Sequence, residues 1–186
     1  MIGIDRNRWY TALAGVIGQT LSSTGAPTRW RWPGRRDPRD IGGAMLPRWT
    51  GERPSVAVII DTSSSVTAAD LDMAHAAGTF VGRIADTVYW GCDTTPTRYG
   101  SSMPERLRGG GGTNLVNGIE AAVADGAKAI VIITDCMTPW PTDPLNIPVI
   151  VAANAGADRY VTGAGAQFPG YAPPDWMTVV PVVLGD

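Results

Sequence analysis

The apolar run Val56-Ala57-Val58-Ile59-Ile60, which opens at Ser55 and leads without a break into Asp61-Thr62-Ser63-Ser64-Ser65, constrains this chain more than any other segment. It is apolar and mostly β-branched, with no alternation. Such a run suits a strand covered on both faces, as in a parallel sheet. A helical pattern begins soon after Asp61. Asp61-x-Ser63-x-Ser65 therefore falls on a strand-to-helix loop at the carboxyl edge of a sheet, where open α/β sheets bind their ligands. One carboxylate and two hydroxyls are hard oxygen donors. Converging there, they suit a small divalent cation such as Mg²⁺.

The triplet alone is a common pattern, and two later segments give it context. Ala129-Ile130-Val131-Ile132-Ile133 reads as a second buried strand and ends in Thr134-Asp135. Between the strands lies Gly109-Gly110-Gly111-Gly112-Thr113-Asn114, followed by a helical pattern. A second carboxylate and a Thr hydroxyl thus fall on the same edge.

This arrangement resembles the metal-ion-dependent adhesion site of von Willebrand factor A (VWA) domains. In that family an Asp-x-Ser-x-Ser loop, a Thr from a second loop and an Asp from a third surround one divalent cation. The matching residues are Asp61, Ser63, Ser65, Thr113 and Asp135. The order of Trp32-Pro33-Gly34-Arg35-Arg36, Met45-Leu46-Pro47, the Asp61 motif, Cys92-Asp93, the glycine run and Thr134-Asp135 also resembles a particular group. It is similar to the VWA-like domain at the carboxyl end of bacterial proteins classed as metallopeptidases, over most of residues 1–153. Two positions depart from the family pattern, since Ser64 and Cys136 stand where relatives commonly carry Gly. Asn114 stands where many carry Asp. The resemblance implies Mg²⁺, or Mn²⁺ or Ca²⁺, as the ion, and a protein partner that offers an Asp or Glu to it. In bacteria, VWA-like proteins often serve beside MoxR-type AAA+ ATPases, so an ATPase of that type is the partner class implied.

A chain of 186 residues is long enough for one well-cored domain. The net charge of −2 gives no sign of a polyanion-binding protein. The charge is unevenly spread: residues 1–53 hold nine Arg against four acids, and residues 54–186 hold six basic against thirteen acidic residues. A basic amino-terminal segment wrapping an acidic core is the simpler account, and a basic partner-binding arm is the other. Two cysteines, Cys92 and Cys136, make no disulfide framework and fit free thiols in a reducing cytoplasm. No apolar run reaches the length of a membrane span, and the amino terminus does not read as a signal peptide. A single Lys among many Arg, Ala and Gly suggests a GC-rich bacterial genome or a phage of such a host.

The spacing predicts an amphipathic helix over 7–20, with Trp9, Leu13, Val16 and Ile17 on one face. Residues 22–54 are rich in Pro, Arg and Trp and predict little regular structure, with Trp30, Trp32 and Trp49 as anchors on the core. Thr67 and Asp70 form a capping box for a helix to about Ala85. Met73, Ala77, Phe80, Val81 and Ile84 are expected to face the sheet. A helix over 113–124 is expected to turn Leu115, Val116, Ile119 and Val123 inward. Strands are predicted at 56–61, 87–92, 129–134, 148–153 and 178–184, with a short antiparallel edge at 97–99. The fold class is therefore α/β, a Rossmann-like VWA fold with a mainly parallel sheet, helices on both faces and one antiparallel edge strand. Residues 1–54 form the amino-terminal segment packed on a 55–186 VWA-like domain. The long 154–176 stretch emerges on the metal edge. Tyr160, Phe168, Tyr171, Trp176 and Trp140 either cover the sheet end or rim the site.

Catalysis finds little support, and no enzyme is expected. His75 is the single histidine and falls mid-helix. There is no His-Glu-x-x-His zinc motif, and the glycine run lacks the Gly-Lys-Ser/Thr of a phosphate loop. Asp61 as the nucleophile of a metal-dependent hydrolase or phosphotransferase is the alternative reading. A further one is nucleic-acid binding through the Arg29–Arg36 segment, which mixes cations and aromatics. The leading expectation is a cytoplasmic interaction module whose ion bridges to a partner.

Overall fold

The structure, a computed structural model, describes residues 6–23, 29–31, 48–50, 55–107, 109–154 and 171–181. Helix α1 spans Arg6–Ser23, and two short strands, β1 (Arg29–Arg31) and β2 (Arg48–Thr50), pair antiparallel with Trp30 opposite Trp49. The 22–54 stretch thus has more regular structure than its composition suggests. The other residues expected to matter there, Trp32 and most of the Arg29–Arg36 segment among them, lie outside the described residues.

The main sheet is built around β3 (Ser55–Asp61), buried from Val56 onward. Beside it on one flank run β4 (Asp86–Cys92) and β5 (Pro96–Gly100). On the other flank are β6 (Ala129–Thr134), β7 (Val149–Ala153) and β8 (Thr178–Val180). The order is β5-β4-β3-β6-β7-β8. Only β5 is antiparallel, and it forms one edge against β4. After β3 the chain moves outward through β4 and β5, then crosses back to lay β6 on the far flank of β3. That reversal opens a crevice between the carboxyl ends of β3 and β6, the place where such sheets take ligands. Register fixes its depth. Ile60 pairs with Ile133, so Asp61 stands level with Thr134, and Asp135 is one residue beyond.

Alternation along each strand divides the core in two. Val56, Val58 and Ile60 face α1 and α2 (Ala68–Ile84), where Trp9, Leu13, Ile17, Met73, Ala77 and Val81 pack. Ala57 and Ile59 face α3 (Leu115–Ala124), where Leu115, Ile119 and Ala122 pack. The Thr67–Asp70 capping box forms as its sequence predicts. The inward faces of both helices differ from the periodicity. In α2, Ala74 and Gly78 are buried as well, and Ile84, half-buried, packs against the core as expected, whereas half-buried Phe80 stacks on Tyr10 of α1 at 5.8 Å. In α3, Gly118 and Ala122 are buried while Val123 is 41% exposed and Val116 half-buried. The helix also begins at Leu115, not Thr113. The cause is close approach. A Cβ at Gly118 would stand 2.9 Å from the Cys92 Sγ, so the missing side chain lets α3 settle on the sheet along its smallest residues. Among the described residues no helix is long and apolar enough to cross a membrane.

Candidate metal centre

Asp61 ends β3 with 1% of its surface exposed. Its Oδ1 accepts from the Ser63 backbone N–H at 2.9 Å, an Asx turn that doubles the chain back at once. The turn brings the Ser63 and Ser65 hydroxyl oxygens within 3.0 Å of each other. A hydrogen bond from Val66 N–H to the Ser63 carbonyl closes the loop before Thr67 starts α2.

The glycine loop is stitched to this first loop through the backbone. Gly110 N–H donates to the Thr62 carbonyl at 2.8 Å, and Ser64 N–H donates to the Gly111 carbonyl at 3.0 Å. Two glycines are required by geometry. A Cβ on Gly109 would run into the Thr62 carbonyl and side chain, and Gly110 has φ +113. Behind the loop, Asn114 N–H donates to the Asp93 carbonyl at 2.8 Å, and the Cys92 thiol donates to the Asn114 carbonyl at 3.4 Å. The Asp93 carboxylate accepts from Thr95 N–H at 3.0 Å. That bond, with a further one from the Gly111 backbone, holds its carboxyl below the ordinary range.

The third loop locks onto both. Thr134 donates its hydroxyl to Asp61 Oδ2 at 2.6 Å and accepts from Cys136 N–H at 2.9 Å. Asp135 Oδ1 accepts from Met137 N–H at 2.9 Å. Thr138, fully buried, accepts from Leu115 N–H at 3.3 Å. It thereby serves the amino end of α3, where the N-cap residue Asn114 makes no side-chain cap. Cys136 has φ +67, a left-handed backbone that favours Gly. Its side chain packs into the α3-side core, and burial pushes its thiol well up, so it stays protonated and out of the loop cluster. Cys92 is likewise free and buried, its thiol pushed up to about 11 by burial first and the Asp61 charge second.

Of the five expected ligands, direct contacts join Asp61, Ser63 and Ser65. Asp135 lies near enough for its charge to act on Asp61. Thr113 is half-buried, between Gly111, which bonds Ser64, and Asn114, which bonds Asp93. No hydrogen bond joins its side chain to the other four among the described residues. Burial raises the Asp61 carboxyl above its ordinary range; the Ser63 and Thr134 hydrogen bonds oppose this, and Asp135 adds to it. No Lys, Arg or His forms an ion pair with either carboxylate among the described residues, where the ion pair present is Arg98–Asp125.

These residues fit a hard cation. Mg–O distances of about 2.1 Å place neighbouring octahedral oxygens about 3.0 Å apart, which is the Ser63–Ser65 separation. The Asn114 Oδ1, on the residue after Thr113, is buried without a hydrogen-bond partner. The donor set is rich in hydroxyls and has only two carboxylates. Accordingly, no group of three His, Cys, Asp or Glu suited to a metal occurs among the described residues. Thr134, at the end of β6, and the loop residues Thr138 and Asp93 hold the loops in place, yet they carried no signal for those roles beyond adjacency to Asp135 and Cys92.

A parallel sheet of this order, with a polar three-loop cluster at its central crevice, defines a VWA-like domain. The family model of the VWA-like domain (DUF2201) matches residues 56–167, more than half of the chain, and the chain belongs to that family. No curated protein and no solved structure matches it.

Proposed function

We propose that this protein is a metal-dependent protein-interaction module. Asp61, Ser63, Ser65, Thr113 and Asp135 would hold a divalent cation, Mg²⁺ or else Mn²⁺ or Ca²⁺, and share it with a partner's Asp or Glu. One observation carries the reading. Two buried carboxylates stand beside two hydroxyls 3.0 Å apart, with no cationic side chain paired to either acid among the described residues. Buried charge is costly unless paired, and an ion there supplies both the pairing and an open position for a partner's carboxylate. Membership of a VWA-like family, a class commonly used for interaction, supports the same reading. A MoxR-type AAA+ ATPase is the partner class that the VWA resemblance adds. Two free, buried thiols accord with a cytoplasmic setting.

Binding, not turnover, is the chemistry proposed. Both oxygens of Asp61 already accept hydrogen bonds, from Ser63 and Thr134. That is a geometry for holding the group still, and it leaves Asp61 poorly placed as a nucleophile. His75 stands mid-α2, outside the three loops. The test is calorimetry with millimolar Mg²⁺ or Mn²⁺ on the intact chain, followed by pull-down from the native host with and without chelator. Saturable ion binding is expected, lost in Asp61→Ala and in the double variant Ser63→Ala with Ser65→Ala. Chelation should release the partner reversibly. Capture that ignores both chelator and substitution would overturn the proposal, as would robust metal-dependent phosphatase turnover.

A further inference from the structure

Three large apolar side chains are exposed among the described residues, and one of them, Met137 at 42%, follows Asp135 at the candidate metal edge. Met137 is two residues from Asp135, and its own N–H holds the Asp135 carboxylate at 2.9 Å. Trp140, in the same loop, donates its indole N–H to the Tyr171 carbonyl at 2.8 Å, which ties the loop to the segment leading into β8. The loop is firmly seated, with its Trp140 and Leu145 packed against the α3-side core. An apolar side chain is thus displayed from a fixed loop that also carries a proposed ligand.

Charge narrows what can sit on it. Asp61, Asp93 and Asp135 crowd this edge, and none forms an ion pair among the described residues. A divalent ion balances two of these carboxylates and leaves Asp93, held ionised by backbone N–H groups, at the rim. A partner rich in acids would meet repulsion there, and a polar one would leave Met137 in water.

Resting on the proposed metal reading, we propose that the surface around Met137 selects the partner. It would take a protein segment with a single Asp or Glu for the ion, flanked by apolar side chains that cover Met137. The carboxylate supplies metal dependence, and the apolar neighbour supplies selectivity.

Random peptides displayed on phage, selected on the intact chain in millimolar Mg²⁺, provide the test. The enriched sequences should share one acidic residue next to Leu, Met, Phe or Tyr. A synthetic peptide of that sequence should bind about tenfold or more weakly to Met137→Glu than to the unchanged protein, and about equally to Met137→Leu. Met137 is exposed, so both variants should fold, and calorimetry should show that each still binds Mg²⁺. Metal-dependent peptides with an acid but no apolar neighbour, or peptides indifferent to Met137→Glu, would overturn the surface and leave the metal reading standing. Peptides that bind equally under chelation would overturn the metal reading itself. If Mg²⁺ binds but no peptide is enriched, or only basic peptides are, the proposed surface is wrong.

Discussion

From Val56 to Ile60, β3 is apolar and buried on both faces, whereas Asp61, one residue further, is equally buried yet carries a carboxyl group. The two parts are stabilised by different physics. The strand body gains from removing apolar surface from water and loses nothing polar, because its backbone pairs with β4 and β6. The end of the strand opposes that gain: burial raises the Asp61 carboxyl, and hydrogen bonds from Ser63 and Thr134 only partly offset it. The body of the strand supplies stability, and the buried carboxyl at its tip offsets some of it. Active and binding sites commonly conflict with local stability in this way.

The strongest test of this contrast is in the strand body. Ile59→Ala removes a fully buried side chain facing α3 and should cost about 2–5 kcal/mol in denaturant unfolding. The loss should be the same with and without Mg²⁺. If Mg²⁺ rescued it, the two regions would not be independent. Next comes the glycine loop. Gly109→Ala drives a methyl group into the Thr62 carbonyl, and displacement of a packed backbone costs about 1–3 kcal/mol. This variant should also bind Mg²⁺ more weakly by calorimetry, because the loop it displaces carries Thr113.

Asp61→Asn should act in the opposite direction in metal-free buffer and raise the denaturation midpoint. The sign follows from the raised carboxyl. Its folded pKa lies above the unfolded value of 3.8, so its contribution favours the fold at low pH. That contribution fades as pH rises from the unfolded value through the folded one. Stability curves across that window should slope downward for the metal-free protein relative to Asp61→Asn. Saturating Mg²⁺ should reduce the difference, since an ion favours the ionised form. Equal slopes in the two metal-free proteins would show that Asp61 is not destabilised by burial. The smallest effect is expected at Cys136. Cys136→Gly relieves a left-handed backbone, worth about 1 kcal/mol, but loses the packing of a buried thiol. Thermal unfolding should shift by less than about 1 kcal/mol either way.

The same contrast decides what was legible in the sequence. Apolar runs such as Val56–Ile60 and Ala129–Ile133 admit few placements, and they reveal a parallel sheet, its central strand and the edge that carries Asp61 and Asp135. Helix faces were less legible, because Gly118 approaches the sheet by having no side chain, and a hydrophobic pattern cannot register an absent atom. Candidate ligands could be chosen because three oxygen-bearing segments fall together at the carboxyl edge of one sheet, where open α/β sheets bind ligands. The supports for those ligands were hidden. Thr138 reaches the start of α3 from 23 residues downstream, and no local pattern encodes that distance.

The bond from Thr134 to Asp61 spans 73 residues, which sets an order of events in the life of the molecule. While the chain emerges from the ribosome, Asp61 is made long before Thr134. The amino end of α3 likewise waits for Thr138. Until β6 docks, the nascent chain has its first loop but neither the hydroxyl that fixes its carboxylate nor the residue that closes α3. Contacts so distant in sequence form late, so the three-loop cluster should be complete only once β6 has docked, and a stalled chain ending before β6 should lack it.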